Sequence, residues 1–216
     1  MQIPLLLASA RFSDNSLRQT IRLGSVMREA YQSLQVVYAQ TLQDAQRLEQ
    51  AGVVGVRVSG NFKFDVSLPR EYIERGRAFA QALSRKMVTI ASTREGEDEL
   101  FIDAIQKQIR RAQSQGISLE EQVLFCLVPR HPQRFEDVAK KLESAGLSYM
   151  RRSEFVQTGE TGAVNARIIT QGRQLVLLGD SLGEMPRYYA ASHVAIIAGS
   201  FLPFGGQNLI EACATG

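Results

Sequence analysis

The 216-residue chain has no tryptophan, only two histidines and only two cysteines, and each scarcity removes a class of chemistry. Cys126 and Cys213 stand far apart with no CxxC spacing, which excludes a disulfide framework and a redox dithiol. Both sit among apolar or small residues and read as buried free thiols. His131 and His193 have no cluster of cysteines or acids around them, so no metal site is expected. No apolar run approaches the roughly 20 residues of a membrane-spanning helix. The opening stretch, Met1 to Ala10, lacks the basic flank of a signal peptide and reads as a strand. Charge of one sign is missing too. With 25 basic and 22 acidic residues the surface is mixed, which argues against nucleic acid as the main partner. A pI near 9.0 suits an anionic substrate or an anionic membrane surface. Internal repeats and low-complexity segments are not evident.

What is present is an alternation of strand and helix patterns. Leu5 to Ser9 reads as a buried strand and Ser16 to Ser33 as one amphipathic helix. Gln35 to Ala39 is a strand. Thr41 then caps a helix that ends before Gly52, and Val53 to Ser59 is the next strand. This βαβαβ rhythm predicts a parallel sheet. It breaks at Gly60 to Asp65, where a domain boundary is placed, giving regions 1–66 and 67–216. The second region resumes the rhythm. It has a helix from Pro69 to Arg85, a strand at Met87 to Ala91, a helix ending near Gln115, and a strand from Gln122 to Val128. Further on come a helix from Arg134 to Ala145, a strand from Ser148 to Arg151, and an irregular loop from Gln157 to Ala166. A strand from Gln174 to Leu178 and a helix opened by Pro186 lead to His193 to Ala198, a β-branched run that reads as a buried strand. Both regions are therefore α/β.

In open α/β sheets, ligands bind beyond the C-terminal strand ends. Four polar segments of the second region stand there: Ser92 and Thr93, Pro129 to His131, Ser181 to Glu184, and Gly205 to Glu211. Arg130 can present a guanidinium to a phosphate or stand as a surface arginine. Leu182, Gly183 and Glu184 offer backbone N–H groups and an acid, or a simple dipole-favoured helix start. Asn208 and Glu211 share a helix face, either as a ligand-facing pair or as a capping box. The acidic run of Glu95, Glu97, Asp98 and Glu99 reads as a solvated first helical turn. Lys63, between Phe62 and Phe64, can meet an anion across a cleft or remain solvated. His193 reads as structural.

Five stretches carry a resemblance. They are Gly60-Asn61-Phe62-Lys63-Phe64-Asp65, Ala91 to Glu97, Val128-Pro129-Arg130-His131-Pro132, Leu178 to Glu184, and Gly199-Ser200 with Gly205-Gly206-Gln207-Asn208-Leu209-Ile210-Glu211. In this order they resemble the 3-deoxy-D-manno-octulosonic acid (Kdo) transferases of lipopolysaccharide synthesis, over essentially the whole chain. The resemblance implies a GT-B fold of two Rossmann-like domains with parallel sheets, the first incomplete here. It implies that region 67–216 holds the donor CMP-Kdo and that 1–66 is part of the domain facing the lipid A precursor (lipid IVA). Donor contacts would fall on Pro129, Arg130, Leu182, Gly183, Glu184, Asn208, Leu209, Ile210 and Glu211. Lys63, Ser92, Thr93, Gly205 and Gly206 would line the cleft. It implies no cofactor and no metal, and peripheral contact of the intact enzyme with the cytoplasmic face of the anionic inner membrane. The family's general base is expected upstream of Met1, and its closing segments beyond Gly216, so no catalytic base is assigned. Arg94 and Gln207 depart from the resemblance, standing where histidine is common. Two alternatives remain: a CMP-binding module without turnover, and a GT-B enzyme of another sugar nucleotide.

Overall fold

Gly24 decides the first departure from these expectations. It adopts φ 59°, a left-handed conformation open to glycine, and splits the expected single helix into α1 (Asp14–Leu23) and α2 (Ser25–Gln32). The computed structural model in which this is seen describes residues 3–157, 169, 171 and 173–215. Beyond Gln157, the expected loop to Ala166 lies outside the described residues.

The chain divides into two compact units, Met1–Val66 and Ser67–Gly216. In the first, β1 (Leu5–Ala10), β2 (Leu34–Ala39) and β3 (Val56–Val58) make a parallel sheet in the order β1-β2-β3. Thr41 caps α3 (Leu42–Gln50) as expected, its hydroxyl accepting from the Asp44 N–H at 3.1 Å. The Asp44 carboxylate is buried and accepts from Phe12 N at 2.8 Å, which ties the end of β1 to α3. Phe12, Val37, Ala39, Leu48 and Val53 form the core. The reading of β1 as buried is corrected. β1 is an edge of the described sheet, and Leu6 is 61% exposed.

The second unit runs α4 (Arg70–Ala82), β4 (Lys86–Thr93), α5 (Glu97–Ser114), α6 (Leu119–Gln122), β5 (Val123–Pro129), α7 (Phe135–Ser144), β6 (Tyr149–Arg151), α8 (Arg152–Gln157), β7 (Val176–Leu178), α9 (Met185–Ala191), β8 (Val194–Ile197) and α10 (Ile210–Ala214). Its five strands are parallel in the order β6-β7-β5-β4-β8. The strand alternation explains the two cores. Leu124, Cys126 and Val128 point to one face, with Phe79 of α4 and Tyr188 of α9. Leu127 points to the other, with Phe101, Ile102 and Ile105 of α5 and Val138 and Leu142 of α7. Burial pushes the Cys126 thiol well above its usual value, as expected of an inert core cysteine. Cys213 is exposed, against expectation, because α10 is a short helix at the surface. β8 is also corrected. It is parallel, but it is an edge strand of the described sheet, with Val194 55% exposed.

One close approach fixes α4 against α9. A Cβ at Gly76 would overlap the Arg187 carbonyl oxygen and lie 2.9 Å from the Ala190 Cβ. Gly76→Ala is expected to destabilise by about 1–3 kcal/mol, the usual range for overpacking. Urea unfolding should show a lower midpoint with an unchanged slope. A midpoint equal to that of the parent would show that the helices part without cost.

Candidate functional site

The strand order brings the C-terminal ends of β7, β5, β4 and β8 side by side. From β4 the chain moves to β5 on one side and later returns to β8 on the other. The order therefore reverses between β4 and β8, the position where open α/β sheets form their binding crevice. The four expected segments stand at or just beyond the ends of these four strands.

At β4, Ser92 and Thr93 belong to the strand and not to a following loop. Ser92 has φ 59°, rare for a residue with a side chain, and the pairing with β5 shifts register beside it. Thr93 is buried, and its hydroxyl donates to Asp98 at 2.6 Å. Asp98 also receives the Arg134 guanidinium, whose Nη1 donates to the Thr93 carbonyl at 3.0 Å. The acidic run is thus not a solvated turn: Glu97 and Asp98 are both 0% exposed. Glu97 accepts from Arg94 N at 2.9 Å, from Gly199 N at 2.8 and 2.9 Å, and from Phe201 N at 3.1 Å. It binds the loop after β8 to the first turn of α5. Glu99 stays exposed and pairs with Lys141 at 2.8 Å.

At β5, Pro129 ends the strand and the Arg130 N–H donates to the Thr93 carbonyl at 3.0 Å. The Arg130 guanidinium is exposed and reaches the Gln207 side-chain oxygen. His131 is exposed, and its carbonyl accepts from Arg134 N.

After β7, Leu182 and Gly183 are exposed, with Gly183 at φ 75°. Glu184 is turned inward. Its Oε1 accepts from Arg152 at 2.8 Å and from Arg187 at 3.1 Å, and all three side chains are nearly buried. Burial pushes the Glu184 carboxyl up, but the Ser181 hydroxyl and the two guanidiniums outweigh it and hold the group below its ordinary value. Arg187 is pulled down by burial and by Arg152, with Glu184 opposing. Arg152 Nε and Nη1 and Glu184 Oε2 are buried with no hydrogen-bond partner among the described residues.

After β8, Gly205 and Gly206 have φ 86° and 80°, and Gly206 N closes back onto the Gly199 carbonyl at 2.7 Å. Arg94 lies over the Phe204 ring, 4.5 Å from its centroid. Gln207 donates to the Ser92 carbonyl at 2.6 Å. Asn208, Leu209 and Glu211 are exposed, and Ile210 is half-buried. Asn208 Oδ1 accepts from Ile210 N at 3.0 Å, a local turn that leaves the Glu211 carboxylate outside any capping box. Lys63 lies in the first unit, exposed in the short Phe62–Phe64 turn that Asn61 caps. Glu97, Asp98, Arg134, Arg152, Arg187 and Gln207 are the contributors that motif reading did not single out as site residues. Among the described residues no group of histidine, cysteine and acid side chains could hold a metal ion, and no helix is long and apolar enough to cross a membrane.

The chain resembles known proteins at both units. The family description "3-Deoxy-D-manno-octulosonic-acid transferase (kdotransferase)" matches residues 1–66. The 3-deoxy-D-manno-octulosonic acid transferase of Bordetella pertussis is 50% identical over 215 residues, covering 99% of this chain and 46% of the relative. That of Haemophilus influenzae is 27% identical over 216 residues, covering 98% and 46%. The chain thus spans about half the length of the curated relatives it matches. Among solved structures, the crystal structure of the C-terminal CMP-Kdo binding domain of WaaA from Acinetobacter baumannii matches with a TM-score of 0.54 and 27% identity, over 68% of each chain.

Proposed function

From the premise that this chain is related over 99% of its length to a Kdo transferase, we propose that it serves a glycosyltransferase that moves Kdo from CMP-Kdo to a lipid A precursor. Unit Ser67–Gly216 holds the donor, and Met1–Val66 is part of the acceptor side. The observation that carries this reading is the placement of Arg130. Its guanidinium is exposed at the end of β5, beside the point where the strand order reverses. There it binds the CMP phosphate and stabilises the charge left on it when an acceptor hydroxyl attacks the anomeric carbon. The backbone N–H groups of Leu182 and Gly183 add neutral donors, and the exposed Asn208 and Glu211 side chains accept from ribose hydroxyls. Glu184 acts differently from the sequence expectation, since its carboxylate is committed to Arg152 and Arg187. No residue of this chain is assigned as the general base. The intact enzyme works against the cytoplasmic face of the anionic inner membrane.

Calorimetric titration with CMP, with UMP as the control, tests this. CMP should bind in preference to UMP, and Arg130→Ala should weaken CMP by about tenfold or more, as expected for loss of a charge-assisted contact. Absence of CMP binding by the folded chain would sink the donor-site reading. Equal binding of CMP and UMP would move it to another sugar nucleotide.

A further inference from the structure

We infer that Gln207 is the positioning residue for Arg130: its side-chain amide, anchored on Ser92, sets the guanidinium at the anion position. This inference rests on the donor-site reading above and adds a residue that acts through Arg130 without touching the nucleotide.

The amide is engaged at both ends. Its Nε2 donates to the Ser92 carbonyl at 2.6 Å, and its Oε1 accepts from Arg130 Nη1. A carboxamide carries donor and acceptor on one planar frame, so it can do both with their directions fixed relative to each other. Once the NH₂ is directed at a carbonyl, the direction of the oxygen is set, and so is the arginine that donates to it. The stem of Gln207 is also confined. A Cβ at Gly199 would lie 2.5 Å from Gln207 Cγ and 2.8 Å from Nε2, so Gln207 lies directly on the glycine backbone. Gly199 is itself pinned by two N–H···O contacts to Glu97 at 2.8 and 2.9 Å. A single side chain therefore joins the ends of β4, β5 and β8.

The first unit provides an internal comparison. Near the end of β1, Ser9 also has positive φ, 53°, and the pairing of β1 with β2 shifts register there. Gln40, which directly follows β2, donates its Nε2 to the Ser9 carbonyl at 2.8 Å. The sequences agree as well, Ala8-Ser9-Ala10-Arg11 against Ala91-Ser92-Thr93-Arg94. Supporting a turned serine thus requires only the amide N–H. Among the described residues, only in the second unit does the amide oxygen receive an arginine. The Arg130 contact is an addition to the common device.

The test is titration of CMP and of cytidine, which lacks the phosphate, into the parent chain and into Gln207→Leu, Gln207→Glu, Arg130→Ala and the Arg130→Ala/Gln207→Leu double variant. Gln207→Leu should weaken CMP by about fivefold and leave cytidine unchanged, since a lost orientation is felt only by the phosphate. Gln207→Glu should weaken CMP by more than about tenfold, because its carboxylate takes the phosphate's place on Arg130. That loss should reverse as pH falls through the carboxylate range. In the Arg130→Ala background, Gln207→Leu should change nothing further. Equal losses for CMP and cytidine, or additive losses in the double variant, would reduce Gln207 to a loop strut and overturn the inference. A parent chain that binds no CMP would instead overturn the donor-site reading, and this inference with it. Thermal unfolding of each variant checks that it is folded.

Discussion

Glu184→Ala is expected to lower the unfolding free energy by about 3–5 kcal/mol, the usual cost of removing one partner from a buried ion pair. The reason is local and electrostatic. Arg152 and Arg187 are both buried, and Glu184 Oε1 lies 2.8 and 3.1 Å from them. Without the carboxylate, two guanidiniums face each other in a region screened from water. Glu184→Gln keeps the shape and one acceptor oxygen and should lose less. The pH dependence follows from the direction of the shift. Glu184 is held below its ordinary value of 4.5, so its stabilisation is complete above that pH. It is lost as pH falls through the lower value of the folded state, and acid unfolding of the parent should steepen there more than that of Glu184→Gln. Denaturant titrations at neutral pH and at pH values below 4.5 measure both effects. The opposite pattern, a stable variant that has lost CMP affinity, would place Glu184 on the nucleotide after all.

Glu184 also shows which part of the site was legible in the sequence. Strand and helix periodicity located every described strand to within a few residues, because apolar alternation depends on neighbours along the chain. The placement of Arg130, Leu182, Gly183 and Asn208 at strand ends followed from that alone. What a carboxylate does once it is there did not follow. Glu184 and Glu97 stand in loops and first turns, where acids are usually solvated or favoured by the helix dipole. Their burial depends on partners distant in sequence: Arg152 for Glu184, and Gly199 and Phe201 for Glu97. No local pattern encodes those partners. The misreading of β1 and β8 as buried has the same origin, since an apolar run does not reveal whether its strand lies at the centre or the edge of a sheet. The short match of Ala8 to Arg11 with Ala91 to Arg94 was readable, but at four residues it gains meaning only once both serines are seen with positive φ.

Glu97→Ala is expected to be comparably severe and to act on the site as well as on stability. The carboxylate is completely buried and accepts from three backbone N–H groups, and no salt-bridge partner is seen for it among the described residues. Its removal leaves the donors of Arg94, Gly199 and Phe201 without an acceptor. At about 1–3 kcal/mol for the buried Gly199 donor, with smaller contributions from the part-buried Arg94 and Phe201 donors, a loss of about 3–5 kcal/mol is expected. Glu97→Gln should be intermediate, because its oxygen can keep the Gly199 and Phe201 contacts while its NH₂ opposes the Arg94 N–H. The consequence for the site is geometric. Gly199 and Phe201 begin the loop that carries Gln207, so releasing them frees the segment that orients Arg130. Hydrogen exchange read residue by residue should show faster exchange at Gly199 and Phe201 in Glu97→Ala, with the central β5 amides protected as in the parent. CMP affinity should fall in the same variant. Unchanged exchange at those two amides would mean that the loop is held by its own turns, Gly206 N on the Gly199 carbonyl among them, and that the buried acid serves only the end of α5.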